Sequence, residues 1–465
     1  SDISMNDRLF VNVSDVDYSH IADYLTEINY TGTFIQLGDS VDGSSSNEDL
    51  GYSVSLNDDG SIIAIGAKEG GGSSRGTVLV FQYDGTGWYQ LGQNIDGEAS
   101  SDRSGWSVSL NGDGTIVAIG AYDNDANGSL SGHVRIYEYD GTNWIQLGQD
   151  IDGEAAGDYS GWSVSISSDG TIVAIGAPNN DGTSVSDTGG HVRIYEYDGT
   201  NWIQLGQDID GEATGDKSGW SVSISGDGTR VAIGAYKNDG NGTKSGHVRI
   251  YEYDGTIWIK LGQDIDGEAA NDNSGQSVSL SSDGNNVAMG APQNRGGPPQ
   301  GAYYVGHVRI YKYDGTNWIQ KGQDIDNDSP IQNDDFGYAV SISGDGNIVI
   351  VGAPYKNGTY SNDDGQVSLY QYDSVDDVWN QLGTYIDGAR AFDYLGQSVS
   401  LSSDGTRFAI GILNGSSYYG EARVYELEHT FVTTPIYQSI HSDVDSSGTF
   451  STDISLNNTM IVPGN

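Results

Sequence analysis

The chain contains no cysteine, which excludes disulfides, thiolate metal centres and a cysteine nucleophile while leaving the compartment open. Basic residues are scarce: 20 Lys and Arg stand against 65 Asp and Glu, for a formal charge of −45. A field of that sign repels phosphate backbones and anionic lipid, so nucleic-acid binding is not expected, whereas divalent cations are attracted. No apolar run reaches the roughly 18 residues of a spanning helix, so membrane insertion is not expected either. The opening SDISMNDRLF has no basic n-region or apolar h-region, so any signal peptide is expected to be already gone or to lie outside this sequence. Catalytic motifs are missing too: no H-E-x-x-H, G-x-S-x-G, Walker loop or G-x-G-x-x-G occurs, and an enzyme is not expected.

What the chain has in excess is glycine, 68 of 465 residues, together with 30 Tyr and 9 Trp. That mixture reads as many short strands and many turns. Seven similar units begin at Gly51, Gly105, Gly161, Gly219, Gly275, Gly337 and Gly396. The second reads GWSVSLNGDGTIVAIGA, a variable loop, then GHVRIYEYDGTNWIQLGQDIDGEAAGDYS. SVSLN alternates small polar with apolar residues, and TIVAIGA is apolar throughout, as a strand buried on both faces should be. HVRIYEY alternates again, and Asp140-Gly141 marks a hairpin into NWIQLG. Four antiparallel strands per unit, with no helix between units, describe propeller blades.

The seventh unit stops after its third strand, at Arg423 to Leu427, while TGTFIQLG at Thr31 to Gly38 matches GTNWIQLG with Phe34 in the tryptophan position. The expected fold is therefore all-β: a seven-bladed propeller of four-stranded blades over 31–428, closed by an N-terminal strand. Short segments flank it at 1–30 and 429–465, and Ile21, Tyr24, Leu25 and Ile28 recur at helical spacing in the first. Inner-strand serines such as Ser107 and Ser109 suit the narrow part of the wedge. Trp88, Trp144, Trp202, Trp258, Trp318 and Trp379 recur on six outer strands, which makes them blade-to-blade packing rather than ligand platforms.

Phe336-Gly337 followed by Gly352-Ala353-Pro354, with Gly176-Ala177-Pro178 and Gly290-Ala291-Pro292 keeping the second half, resembles the FG-GAP signature of integrin-α-like propellers. The resemblance runs over all seven repeats and implies an extracellular adhesion or recognition module, though fold alone does not carry function. It also implies calcium loops in the first hairpin of a blade, around an N-x-D-G core. Here that hairpin is shorter, with Ser109 and Ala118 near where carboxylates are needed, so that site is expected to be absent. The two ends share D-I-S-[ML]-N-x-x-[LM]-[FI]-V, from Asp2 to Val11 and from Asp453 to Val462. This is similar to the DISLN-type fibre repeats in surface proteins of algal large DNA viruses. It implies assembly through Leu9, Phe10, Val11, Met460, Ile461 and Val462, with the chain itself as head-to-tail partner.

Four histidines, His133, His191, His247 and His307, occupy one repeat position, each two residues before an arginine (Arg135, Arg193, Arg249, Arg309). On separate blades they cannot converge on one metal, and the arginines are expected to pair with Asp158, Asp216 and Asp272. Calcium is a candidate cofactor at Asp123 and Asp125, which open a D-x-[DN]-x-[DN]-G half-loop whose twelfth position is Val134 instead of Glu. The D-I-D-G-E-x-x-x-D stretch with Asp152, Glu154 and Asp158 is a second candidate, or else a solvated acidic turn. N-x-[ST] sequons stand at Asn12, Asn29, Asn127, Asn241, Asn327, Asn357, Asn414 and Asn457; Asn327, before Ser329-Pro330, is the least suited to glycosylation. Asn127, Asn241, Asn357 and Asn414 share the variable loop, where a glycan is tolerated. The reading that follows is a non-enzymatic structural protein of an extracellular, cell or virion surface, a propeller bead in a filament joined through its ends. The alternative is an attachment domain binding glycan or receptor through Tyr122, Tyr236, Tyr303, Tyr304 and Tyr360, with a secreted enzyme last.

Overall fold

Each repeat has two apolar faces and cannot bury both alone, so the units stack side by side and share their cores. The computed structural model describes residues 3–5, 8–10, 23–44, 48–181, 188–295, 304–327, 334–357, 362–414, 419–436 and 460–461. It forms two compact units, Ile35–Glu426 and a second of Ser1–Phe34 with Leu427–Asn465. The first is a ring of seven antiparallel blades. Blade two is representative: inner strand Ser107–Leu110, second strand Ile116–Ala121, third strand His133–Tyr139, and an outer strand in two pieces, Trp144–Gln146 and Ile151–Asp152. Both outer pieces pair with the third strand. The D-I-D stretch is therefore part strand: Ile151 is buried opposite Val134, and Asp152 stands opposite His133. Asp140 makes the hairpin by accepting the backbone N–H groups of Thr142 and Asn143.

The last blade is completed from the other end of the chain. Leu37 donates its N–H to Val424 O at 2.8 Å, as Leu147 does to Ile136 O in blade two at 2.8 Å. Val41 and Asp42 then pair with Ala422 and Glu421, reproducing the Ile151 and Asp152 pairing. The strand that brings the chain there, Asp23–Gln36, includes Tyr24, Leu25 and Ile28, so the helix expected there is corrected to a strand; Ile21 lies outside the described residues. Helical spacing in that stretch yields to pairing with the long third strand Glu421–Ile436, and to a run of β-formers through Tyr30, Thr31, Thr33, Phe34 and Ile35.

The core lies between blades rather than within them. Ile62, Val78, Val80 and Ile95 of blade one pack with Val108, Leu110, Val117, Ile119 and Trp144 of blade two. The outer-strand tryptophans do what their recurrence suggests: Trp144 is 2% exposed, and its indole N–H donates to Leu91 O of the preceding blade at 2.9 Å. Trp88 donates likewise to Leu37 O at 2.8 Å across the closure. The inner serines contribute more than small volume. Ser107 Oγ donates to Gly161 O of the next blade at 2.9 Å, and Ser109 Oγ accepts the Ile166 N–H at 3.1 Å. Ser398 to Gly51 O at 2.8 Å, and Leu56 N–H to Ser400 Oγ at 2.9 Å, close the ring in the same way.

In the second unit, Ile3–Met5 and Arg8–Phe10 form a two-stranded antiparallel sheet, Ile3 opposite Phe10 and Ser4 opposite Leu9. Met460 and Ile461 pair with Thr433 and Val432. Val11 and Val462 lie outside the described residues.

Candidate functional site

The two ends of the ring differ in what they offer a ligand. At the end formed by the first hairpins, one backbone N–H from each blade reaches a neighbouring blade's carbonyl. Asp58 donates to Gly112, Gly112 to Ser168, Ser168 to Gly226, Gly226 to Ser282, Ser282 to Gly344, Gly344 to Ser403 and Ser403 back to Asp58, all within 2.7–3.0 Å. Seven donors and seven acceptors are thereby consumed in a closed circle, which draws the turns together.

The opposite end carries the variable loops and an arc of aromatic rings that sequence reasoning did not single out. The residues after the seven repeat-opening glycines are Tyr52, Trp106, Trp162, Trp220, Gln276, Tyr338 and Gln397. Ring centroids are 4.5 Å apart for Tyr52 and Trp106, 4.7 Å for Trp106 and Trp162, and 4.5 Å for Trp162 and Trp220. Tyr122 and Tyr236, at the starts of two variable loops, join at 4.4 Å from Trp106 and Trp220. Burial, then the phenols of Tyr338, Tyr122 and Tyr355, raise Tyr52 above its ordinary pKa, so blades one, two and six converge here. Gln397 donates to Tyr338 OH at 3.2 Å. All seven side chains are half-buried. Cations dot the arc: Lys68 lies 4.9 Å from the Tyr52 ring centre and Lys237 5.1 Å from that of Tyr236.

Two residues before each of those glycines, the backbone turns left-handed without glycine: Asp49, Arg103, Tyr159, Lys217, Asn273, Asp335 and Tyr394 have φ between 50° and 62°. Seven copies of a conformation costing about 1 kcal/mol each persist at the rim, displaying five different side-chain types. The framework repeats almost verbatim while this position changes from blade to blade.

Of the other expected ligand contacts, Tyr304 stacks with Arg295 at 5.2 Å, and Tyr303 and Tyr360 lie outside the described residues. Asn127, Asn241 and Asn414 do stand in variable loops, but their amide nitrogens are engaged. Asn127 Nδ2 donates to Gly153 O at 2.8 Å and Glu154 O at 3.0 Å, Asn241 to Gly267 O at 3.0 Å and Glu268 O at 2.9 Å, and Asn414 to Phe392 O at 2.7 Å. Asn357 accepts the Asp363 N–H, Asn327 is buried against Asp334, and Asn29 lies on the N-terminal strand. Asn12 and Asn457 fall outside the described residues.

The candidate calcium residues do not form one site. Asp123 faces Arg103 at 3.2 Å, Asp125 caps its own loop by accepting the Leu130 N–H at 2.8 Å, and Asp158 is buried, accepting from Ala155 N–H and Asn180 Nδ2. The arginine pairing also needs correction. Arg135, Arg249 and Arg309 reach Glu98, Glu212 and Glu268 of the preceding blade's linker at 3.6–3.9 Å, and Arg193 pairs with Glu154. The short aspartates at 158, 216 and 272 instead cap their own turns through Ala155, Ala213 and Ala269.

That linker glutamate also faces the repeat histidine. Four clusters result: Glu98, His133 and Asp150; Glu154, His191 and Asp208; Glu212, His247 and Asp264; Glu268, His307 and Asp324, with one ligand atom from each residue lying within 4.8 Å of the others. Burial, and then the neighbouring arginine, hold His133, His247 and His307 down to about 4, and burial lowers His191 too.

The glycine that opens each repeat meets a glycine at the next-to-last position of a second strand. A Cβ on Gly290 would run into Gly337 O, and one on Gly352 into Gly396 O. Phe336 beside them is 1% exposed. These are the FG and GA positions, and the sequence matches the FG-GAP repeat family over residues 96–137, 151–195, 209–251 and 330–370. The ring is an FG-GAP seven-bladed propeller. No curated protein sequence matches the chain. The calcium associated with the first hairpin of FG-GAP repeats does not fit this one: Ser109 stands opposite Ala118 and its hydroxyl holds the next blade. Asp113 spends its carboxylate on Thr115 of its own turn. Among the described residues, no helix of this FG-GAP protein is long and apolar enough to cross a membrane.

Proposed function

We propose that the protein is a non-enzymatic adhesion module of an extracellular surface, which recognises glycan through the aromatic arc at the open end of its propeller. The contiguous Tyr52, Trp106, Trp162 and Trp220 rings carry this reading. Flat, half-buried aromatics suit the apolar faces of sugar rings, and the varied rim side chains supply polar contacts. A glycan array followed by tryptophan-fluorescence titration tests the reading. Trp162→Ala is expected to weaken binding at least tenfold while the melting temperature stays near that of the wild type. Unchanged affinity in that variant refutes it.

A second reading, a bead in a head-to-tail filament, draws on the terminal unit. Among the described residues the sheet of Ile3–Met5 and Arg8–Phe10 has only two strands, which leaves edges for strand addition by a neighbouring copy. Contacts between unlike ends propagate as rings or open filaments. Light scattering of the full chain, beside one lacking residues 1–11, separates the readings: a monodisperse monomer at high concentration leaves the adhesion module alone.

A further inference from the structure

We propose that the four histidine clusters are divalent transition-metal sites of the Zn²⁺ kind, each bridging two successive blades. The cluster at His133 shows the argument best. Its imidazole is 1% exposed, and neither ring nitrogen has a hydrogen-bond partner, so two buried polar atoms stand unsatisfied unless something else binds there. Carboxylate oxygens of Glu98 and Asp150 nevertheless lie within 4.8 Å of the imidazole ligand atom and of each other, and Asp152 Oδ1 is 3.9 Å from Nδ1. Such separations are too long for hydrogen bonds. The 3.9 Å separation approaches the roughly 3.4 Å between ligand atoms sharing a tetrahedral ion with bonds of about 2.0–2.1 Å.

Charge points the same way. Three carboxylates face one imidazole, and Arg135 lies 3.6 Å from Glu98 Oε1. In the clusters of blades three to five, the other glutamate oxygen, Oε2, is 3.8–4.0 Å from the histidine Nδ1. The guanidinium thus holds one carboxylate oxygen and leaves the second directed at the imidazole, the outer-shell orientation that metal ligands use. One nitrogen with carboxylate oxygens suits a borderline ion better than Ca²⁺, which takes six to eight oxygens.

Two of the remaining blades provide an internal reference. Blade one has Thr77 at the histidine position and blade six has Gln366. Each hydrogen-bonds the linker aspartate directly, Thr77 Oγ1 to Asp96 at 2.7 Å and Gln366 Nε2 to Asp387 at 3.0 Å. Where the residue is histidine, the equivalent carboxylate stands off by about the width of an ion. Glu98 is 47% exposed on its side chain, so the site opens to solvent and an ion has a path in.

The test is calorimetric titration of the full chain, stripped with chelator, using Zn²⁺ alone. Its companion is a variant in which Glu98, Glu154, Glu212 and Glu268 are each changed to Gln. These side chains are half exposed, so the ring is expected to keep its circular-dichroism spectrum. If that variant fails to fold, Asp150, Asp208, Asp264 and Asp324 changed to Asn replace it. The wild type is expected to take up four more equivalents than the variant, one per cluster. Its Co²⁺ form should show visible d–d bands that the variant lacks, and His133→Gln should remove one equivalent. Equal stoichiometry and affinity in wild type and variant, or displacement of Zn²⁺ by equimolar Ca²⁺, overturns the assignment.

Discussion

Changing Gly352 to Ala tests why glycine stands at the FG-GAP positions. The backbone φ of Gly352 is not left-handed, so conformational freedom is not what the site needs. Space is. A Cβ would lie 3.1 Å from the Gly396 carbonyl carbon, 3.3 Å from its Cα and closer still to its oxygen. All three atoms are backbone, and blade six has Ala339 where other blades have the first inner serine, so no side chain can swing aside. Blades six and seven must part by on the order of 1 Å, a gap that forfeits a quarter to a half of each dispersion contact along the seam. Overpacking alone costs about 1–3 kcal/mol, and with the loosened seam we expect about 3 kcal/mol. With an unfolding entropy of about 2.1 cal/mol/K per residue over a ring of about 390 residues, that lowers the melting temperature by about 4 °C. Scanning calorimetry reads it directly. Gly87→Ala is the control, because nothing lies within 4 Å of its Cβ position and its φ is ordinary; it should be neutral or slightly stabilising. If Gly352→Ala melts within 1 °C of the control, close glycine contact is not what holds adjacent blades together.

Lys321 replaces the leucine of the other repeats and is 8% exposed, its Nζ donating to Gly346 O at 2.6 Å and Asn347 Oδ1 at 2.8 Å. Burial lowers its pKa to about 8 against 10.5 for the unfolded chain, so between those values the unfolded state binds more protons and stability rises with pH by about 1.4 kcal/mol per unit. Wild type should therefore gain on Lys321→Leu from pH 8 to 10 in thermal melts, and a pH-independent gap refutes the buried charge. Removing residues 1–38 takes away the first piece of the outer strand of blade seven, the buried Leu37 and the carbonyl that holds Trp88. We expect a loss of several kcal/mol and early proteolysis of the last blade; an unchanged melting temperature means that the ring closes without that strand.

The blade count, the strand pattern and the closing strand were legible in the amino-acid order, because each rests on local periodicity and on a motif repeated in register. TGTFIQLG announced its place by matching GTNWIQLG, and the backbone of Leu37 bonds Val424 as that match requires. The Asp23–Gln36 strand was misread because helical spacing over a few residues cannot register a partner strand about 400 residues away. Trp106, Trp162 and Trp220 stand at an obvious repeat position, yet nothing local says that residues more than 50 apart stack into one arc. The partners of the repeat arginines were misassigned for a related reason. Glu98 and Asp102 are both near in sequence to the blade junction, and only the path of the linker decides which carboxylate turns toward Arg135 and His133 and which caps its own turn. Periodicity is a property of neighbours along the chain and can be read there. Convergence across blades depends on the ring closing, and only the tertiary structure decides it.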